Sequence, residues 1–145
     1  MKKFLLFLLI TSSLFSETFF TLDNVKDLRI YMSSSTNFLN KDKQATIKER
    51  VKDRLQKAGF IFGKNDATTF MLKVEAIEIL DTNAIYVEIG LGEEVKTLRD
   101  GDVYSFAFTY LANDFIDSQE PYKDTLESID FLLSQFIEAH KIDNE

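Results

Sequence analysis

The side chains able to do chemistry are few, and their spacing limits what they can do. The only histidine is His140, close to the C-terminus. A general base must be held within hydrogen-bond reach of its target by rigid surroundings. The last turn of a terminal helix offers little of that, so His140 reads as a residue complementing the helix dipole. There is no cysteine, which removes disulfides, thiolate nucleophiles and cysteine-ligated metals together. One histidine and no thiol leave too few donors for a zinc site. Ser33-Ser34-Ser35 lacks a Gly-x-Ser-x-Gly elbow and a histidine nearby in sequence, and reads as loop. Gly90-x-Gly92 follows a strand pattern, but the third glycine and the helix of a dinucleotide fingerprint are missing.

Carboxylates are the remaining candidates. Glu75, Glu78 and Glu88 fall on consecutive strand patterns. Two of them meeting across a sheet face would resemble the acid pair of a glycoside hydrolase, although exposed alternating positions explain them without chemistry. Asp114-x-x-Asp117 followed by Glu120 offers oxygen ligands to a hard cation, but EF-hand loop spacing is absent and a solvated loop accounts for it. No residue is assigned a catalytic, cofactor-binding or metal-binding role. The expectation is a non-enzymatic protein that needs no cofactor.

Six elements would position these groups. Leu28, Ile30 and Met32 alternate with Arg29, Tyr31 and Ser33, which predicts a half-buried strand over 27–33. Ile47, Val51, Leu55 and Ala58 form the stripe of a helix over 42–58, with Gly59 where a C-terminal glycine cap belongs. Three strands follow, at 69–80, 84–91 and 103–111, the first with a slip in its alternation around Glu78. The turns are Asp81-Thr82-Asn83 and an Asp100-Gly101 signal. A last helix, 121–140, begins at Pro121 and carries Leu126, Ile129, Leu133, Phe136 and Ile137. The predicted fold is an α+β two-layer sandwich of order βαβββα. Its sheet is four-stranded and largely antiparallel, with both helices on one face.

The N-terminus reads as a cleavable signal peptide over residues 1–16. Lys2 and Lys3 precede the apolar run Phe4–Ile10, and small polar residues lead to cleavage near Ser16. The run is too short to span a bilayer, which takes about 20 residues. Residues 17–26 are then a lead-in, 27–140 a single domain and 141–145 a tail expected to fray. Without a lipid-acceptor cysteine the exported chain is expected free in the periplasm. Loss of Lys2 and Lys3 takes the formal charge from −7 to −9, which argues against nucleic-acid binding.

Two surface features stand out. Residues 41–57 carry seven basic against three acidic side chains, and Lys48, Arg50, Lys52, Arg54 and Lys57 form a candidate partner surface. Paired charges on a solvated helix are the plainer account. Tyr104, Phe106, Phe108 and Tyr110 alternate on one face of the fourth strand. They form either core beneath the helices or, with Phe131, a candidate apolar face or pocket.

The helix ending Val51-x-x-Arg54-Leu55-x-x-Ala58-Gly59-Phe60, set in a βαβββα chain behind a signal peptide, is similar to small Gram-negative envelope accessory domains. These are the lipopolysaccharide-assembly lipoprotein partner and the TolB N-terminal domain. The resemblance implies contact with another envelope protein or complex, without the lipid anchor and with no site residue carried over. Three functions remain open. The first is a non-enzymatic periplasmic accessory or binding protein, with a homodimer through the sheet as one form of contact. The second is a carrier of small apolar ligands, with a pocket between sheet and helices lined by Phe106, Phe108 and Phe131. The third is a hydrolase using Glu75, Glu78 and Glu88. A closed core with an apolar outer sheet face favours the first. A cavity of several hundred Å³ would favour the second, and carboxylates about 5–10 Å apart in a cleft the third.

Overall fold

The computed structural model describes residues 21–64 and 68–145. The expected signal peptide, 1–16, and residues 17–20 of the lead-in lie outside them. Strand β1 (Asp27–Ser35) buries Leu28 and Met32 and exposes Arg29 and Tyr31, as its alternation predicts. It continues through the serines expected to form a loop. Helix α1 (Lys41–Lys57) starts at Asn40, whose side chain accepts from the Lys43 amide, and buries Ile47, Val51 and Leu55. It ends in a Schellman motif. Gly59 has φ of 99°, its amide donates to the Gln56 carbonyl, and the Phe60 amide donates to the Leu55 carbonyl.

The sheet has five strands in the order β2-β1-β3-β4-β5. It is mixed, where four largely antiparallel strands were expected. The added strand is β2 (Ile61–Phe62), two residues long and parallel to β1. Two residues carry no periodicity, so sequence reading passes over them. The chain leaving the Gly59 cap runs beside β1, and the Ile61 amide donates to the Lys26 carbonyl at 2.9 Å. Strand β3 (Thr68–Ile79) is also parallel to β1, because α1 is the crossover between them. Strands β4 (Thr82–Lys96) and β5 (Tyr104–Ser118) complete an antiparallel meander.

The inner sheet face carries Leu28, Met32, Phe70, Leu72, Val74, Ile85, Val87, Ile89 and Leu91, all buried. Helix α2 (Pro121–Asp143) lays Ile129, Leu132, Leu133 and Phe136 on it. Phe136 is the centre of an aromatic cluster, its ring 5.1 Å from Phe70, 5.1 Å from Tyr110 and 5.5 Å from Phe60. Both helices therefore cover one face and leave the other open, as expected.

The tail expected to fray is tied down instead. Helix α2 runs on to Asp143. The Asp143 carboxylate accepts from the Leu22 amide at 2.7 Å, and Asn144 both donates to the Leu22 carbonyl and accepts from the Asn24 amide. His140 is half-buried. Its Nε2 donates to the Val25 carbonyl at 2.7 Å, and its ring lies 4.4 Å from Phe60. The histidine is a clasp between the lead-in and the C-terminal helix, a role that sequence distance conceals.

A β-bulge corrects the aromatic ridge. Leu91 pairs with Tyr110, but Gly92 pairs with Phe108, so Thr109 is an extra residue in β5. One inserted residue reverses the facing of everything beyond it. Tyr110 turns inward onto Phe136, while Tyr104, Phe106 and Phe108 turn outward and are exposed. The outward rings occupy the space above two glycines. A Cβ on Gly90 would meet the Phe108 ring at 3.0 Å, and one on Gly92 would meet Phe106 at 2.2 Å. Glycine at these positions lets the rings lie flat on the sheet.

Candidate functional site

The open sheet face carries several exposed apolar side chains among its polar ones. Strand pairing sets its rows. Tyr31, Met71, Gly90 and Leu111 form one, Glu75, Tyr86 and Phe115 another, and Ile77, Ala84 and Asp117 a third. Phe115 is 75% exposed and Ile77 71%, with Tyr31, Tyr104, Phe106 and Phe108 also exposed. At the β3–β4 hairpin end the surface hollows into an open groove of about 710 Å³, lined by Glu75, Ile77, Ala84, Tyr86, Phe115 and Asp117 among others. Tyr86 and Phe115 both line it, with ring centroids 4.7 Å apart.

The polar groups on this face satisfy one another. Lys73 pairs with Glu75 at 2.9 Å and sits 5.7 Å from the Tyr86 ring centroid. The Tyr86 hydroxyl donates to Glu88. Burial, then the Glu88 hydrogen bond and charge, push Tyr86 up to about 12, so it remains a neutral donor and no base. Glu75 and Glu88 share the face but are held by Lys73 and Tyr86, while Glu78 falls on the other face by alternation. Glu75 lines the groove and Glu88 does not, so the three carboxylates are not gathered in one cleft.

Asp114 and Asp117 do not form a cation site. Asp114 faces α2 and accepts from Ser128 at 2.8 Å, whereas Asp117 faces outward and accepts from Thr82. Odd spacing along a strand puts them on opposite sides. Among the described residues no cluster of three histidine, aspartate or glutamate side chains could hold a metal.

The basic helix is largely internal wiring. Arg50 and Arg54 both donate to the Asp130 carboxylate on α2, and Arg54 also reaches the Asp130 carbonyl and the Ser134 hydroxyl. Burial opposes ionisation of Asp130, but the hydrogen bonds and charge of the two arginines more than offset it and hold its carboxyl below the usual range. Lys57 pairs with Asp53 at 2.6 Å, and Lys52 lies 5.9 Å from the Phe62 ring centroid. Lys48 and Lys52 border a shallow depression with Phe62. The five residues do not present one uniform cationic surface, because α1 had to join to an acidic neighbour.

The pocket proposed for Phe106, Phe108 and Phe131 is not formed. The first two lie on the face away from the helices, and Phe131 is 54% exposed on α2. Sequence reading missed the groove residues Ile77, Tyr86 and Phe115 as a group. The slip in alternation after Ala76 was the available signal for Ile77. Phe115 stands among Asn113, Asp114 and Asp117, past the 103–111 alternation, where periodicity gives no strand signal.

Among the described residues no helix is long and apolar enough to cross a membrane. No protein family, curated protein or solved structure matches this chain.

Proposed function

We propose that this chain is exported to a bacterial periplasm and acts there, without catalysis, by docking its open sheet face on another envelope component. The observation that carries the reading is the set of exposed Tyr31, Ile77, Tyr104, Phe106, Phe108 and Phe115 over a closed core. Exposed large apolar side chains gathered on one face of a folded chain mark a contact site. The aspartate and glutamate groups bordering the groove suit a partner whose apolar side chains are flanked by lysine or arginine. The positive n-region and apolar run at 2–10 support export, and the lack of cysteine supports a free rather than lipid-anchored form.

The test is a photo-crosslinking amino acid placed at Phe115, with Lys57 as the control position, in cells of the source organism. A discrete adduct from position 115 alone is expected. Equal labelling from both positions, or none from either, would remove the reading. The groove volume of about 710 Å³ favours one second reading, a carrier of small apolar ligands on the outer face. Native mass spectrometry of the protein recovered from the periplasm tests that, since a carrier leaves with its ligand.

A further inference from the structure

We infer that β5 is the seam of a symmetric dimer, in which a second copy of this chain adds antiparallel at Phe106 to give one continuous sheet. The two sheet edges differ. On the far side β2 pairs only with Asp27 and Leu28, so Arg29–Ser35 of β1 is unpaired there too, a seven-residue stretch that carries Arg29 and ends in three serines rather than aromatic residues. β5 is fifteen residues long, contains no proline or lysine, and is hydrogen-bonded on one side only. Residues 103–113 are uncharged, bounded by Asp102 and Asp114. A long, neutral, aromatic edge is a template for another strand, and among the described residues no strand pairs with its outer side.

Charge and facing select the occupant and the register. The chain carries a formal charge of −7, so a second copy is repelled wherever acidic groups oppose each other. Centring the two-fold axis on Phe106 sets residues 104–108 against themselves, all neutral. Phe106 then opposes its own copy, Tyr104 opposes Phe108 of the second copy, and Ser105 opposes Ala107. All three aromatic residues lie on the outer face, so the seam gains an aromatic ladder of cross-strand pairs. Sliding the axis toward the C-terminal half brings Asp114 and Asp117 toward each other. It also meets the bulge at Thr109, beyond which the facing is reversed. Because β5 pairs with itself about a two-fold axis, the contact uses up the same edge of both chains and closes at two copies. Phe115 lies nine residues along β5, about 30 Å from the two-fold axis and beyond the residues 104–108 that pair across it, so the groove stays open in the dimer.

The chain recovered after export is examined by sedimentation velocity from micromolar to submillimolar concentration. A mass of two chains is expected. Phe106→Lys and Phe106→Glu should each sediment as monomers, because each opposes a like charge to itself, and an equimolar mixture should restore the dimer. Circular dichroism checks that both variants fold. Should they not fold, Phe106→Cys serves instead, since the chain has no other thiol. Mild oxidation should then link two chains through that position, and a Lys57→Cys control should not link. A monomer at all concentrations, a dimer unaffected by both charge variants, or failure of Phe106→Cys to link would each overturn the inference.

Discussion

Truncating Phe136 is the sharpest probe of how α2 is seated. Its ring is fully buried, at 0% exposure, against Phe60, Phe70 and Tyr110. Phe136→Ala forfeits transfer free energy of about 2–3 kcal/mol and leaves a cavity among three aromatic rings that cannot collapse together, adding about 1–2 kcal/mol. The expected cost is therefore about 3–5 kcal/mol. For a domain of this size that lowers Tm by roughly 15 °C and consumes a large share of a typical folding free energy of about 5–15 kcal/mol. Five residues earlier on the same helix, Phe131 is 54% exposed, and Phe131→Ala should stay within about 0.5 kcal/mol. Urea denaturation followed by circular dichroism gives both values with a common m. A loss below about 1 kcal/mol for Phe136→Ala, or equal losses for the two variants, would refute the closed core and with it the sidedness of the sheet.

Other predictions follow from single contacts. Asp130→Asn should cost about 1 kcal/mol at neutral pH, a modest figure because the arginines that hold Asp130 are partly solvated. The folded-state value of Asp130 is lowered, so this contribution is present above the unfolded carboxyl value of about 3.9 and fades as pH falls through the folded one. Wild type and variant should therefore converge in stability near the acid limit, and a gap that widens there would contradict the arrangement. His140→Ala should cost about 1 kcal/mol and speed amide exchange at Leu22 and Val25, because the clasp at the Val25 carbonyl is lost; unchanged exchange would argue against it. Gly59→Ala should cost about 1 kcal/mol or slightly more. A Cβ there meets nothing within 4 Å, so the loss reports the positive φ alone, and equal thermal stability would disprove the strain.

Much of the architecture was legible because it rests on local periodicity. Leu28, Ile30 and Met32 at every second position and Ile47, Val51 and Leu55 at helical spacing each mark a face without knowledge of its neighbour. Gly59 marked the end of α1 for the same reason, since a left-handed cap is a property of one residue. The α+β class with two helices on one face follows from these elements in order. The absence of cysteine and the single histidine likewise limited the chemistry before any fold was known.

What escaped the sequence depends on pairs of residues far apart in the chain. Ile61 and Phe62 become a strand only because β1 lies beside them. Thr109 becomes a bulge only through its register with β4, and that one residue sends Tyr110 into the core and Phe106 and Phe108 to solvent. The basic stripe on α1 could be judged only once Asp130, eighty residues from Arg50, was seen between Arg50 and Arg54. His140 looked idle until the lead-in came back to meet it. Composition and periodicity determine which faces are apolar. Register and packing decide which of those faces is covered, and so where a surface remains open to a partner.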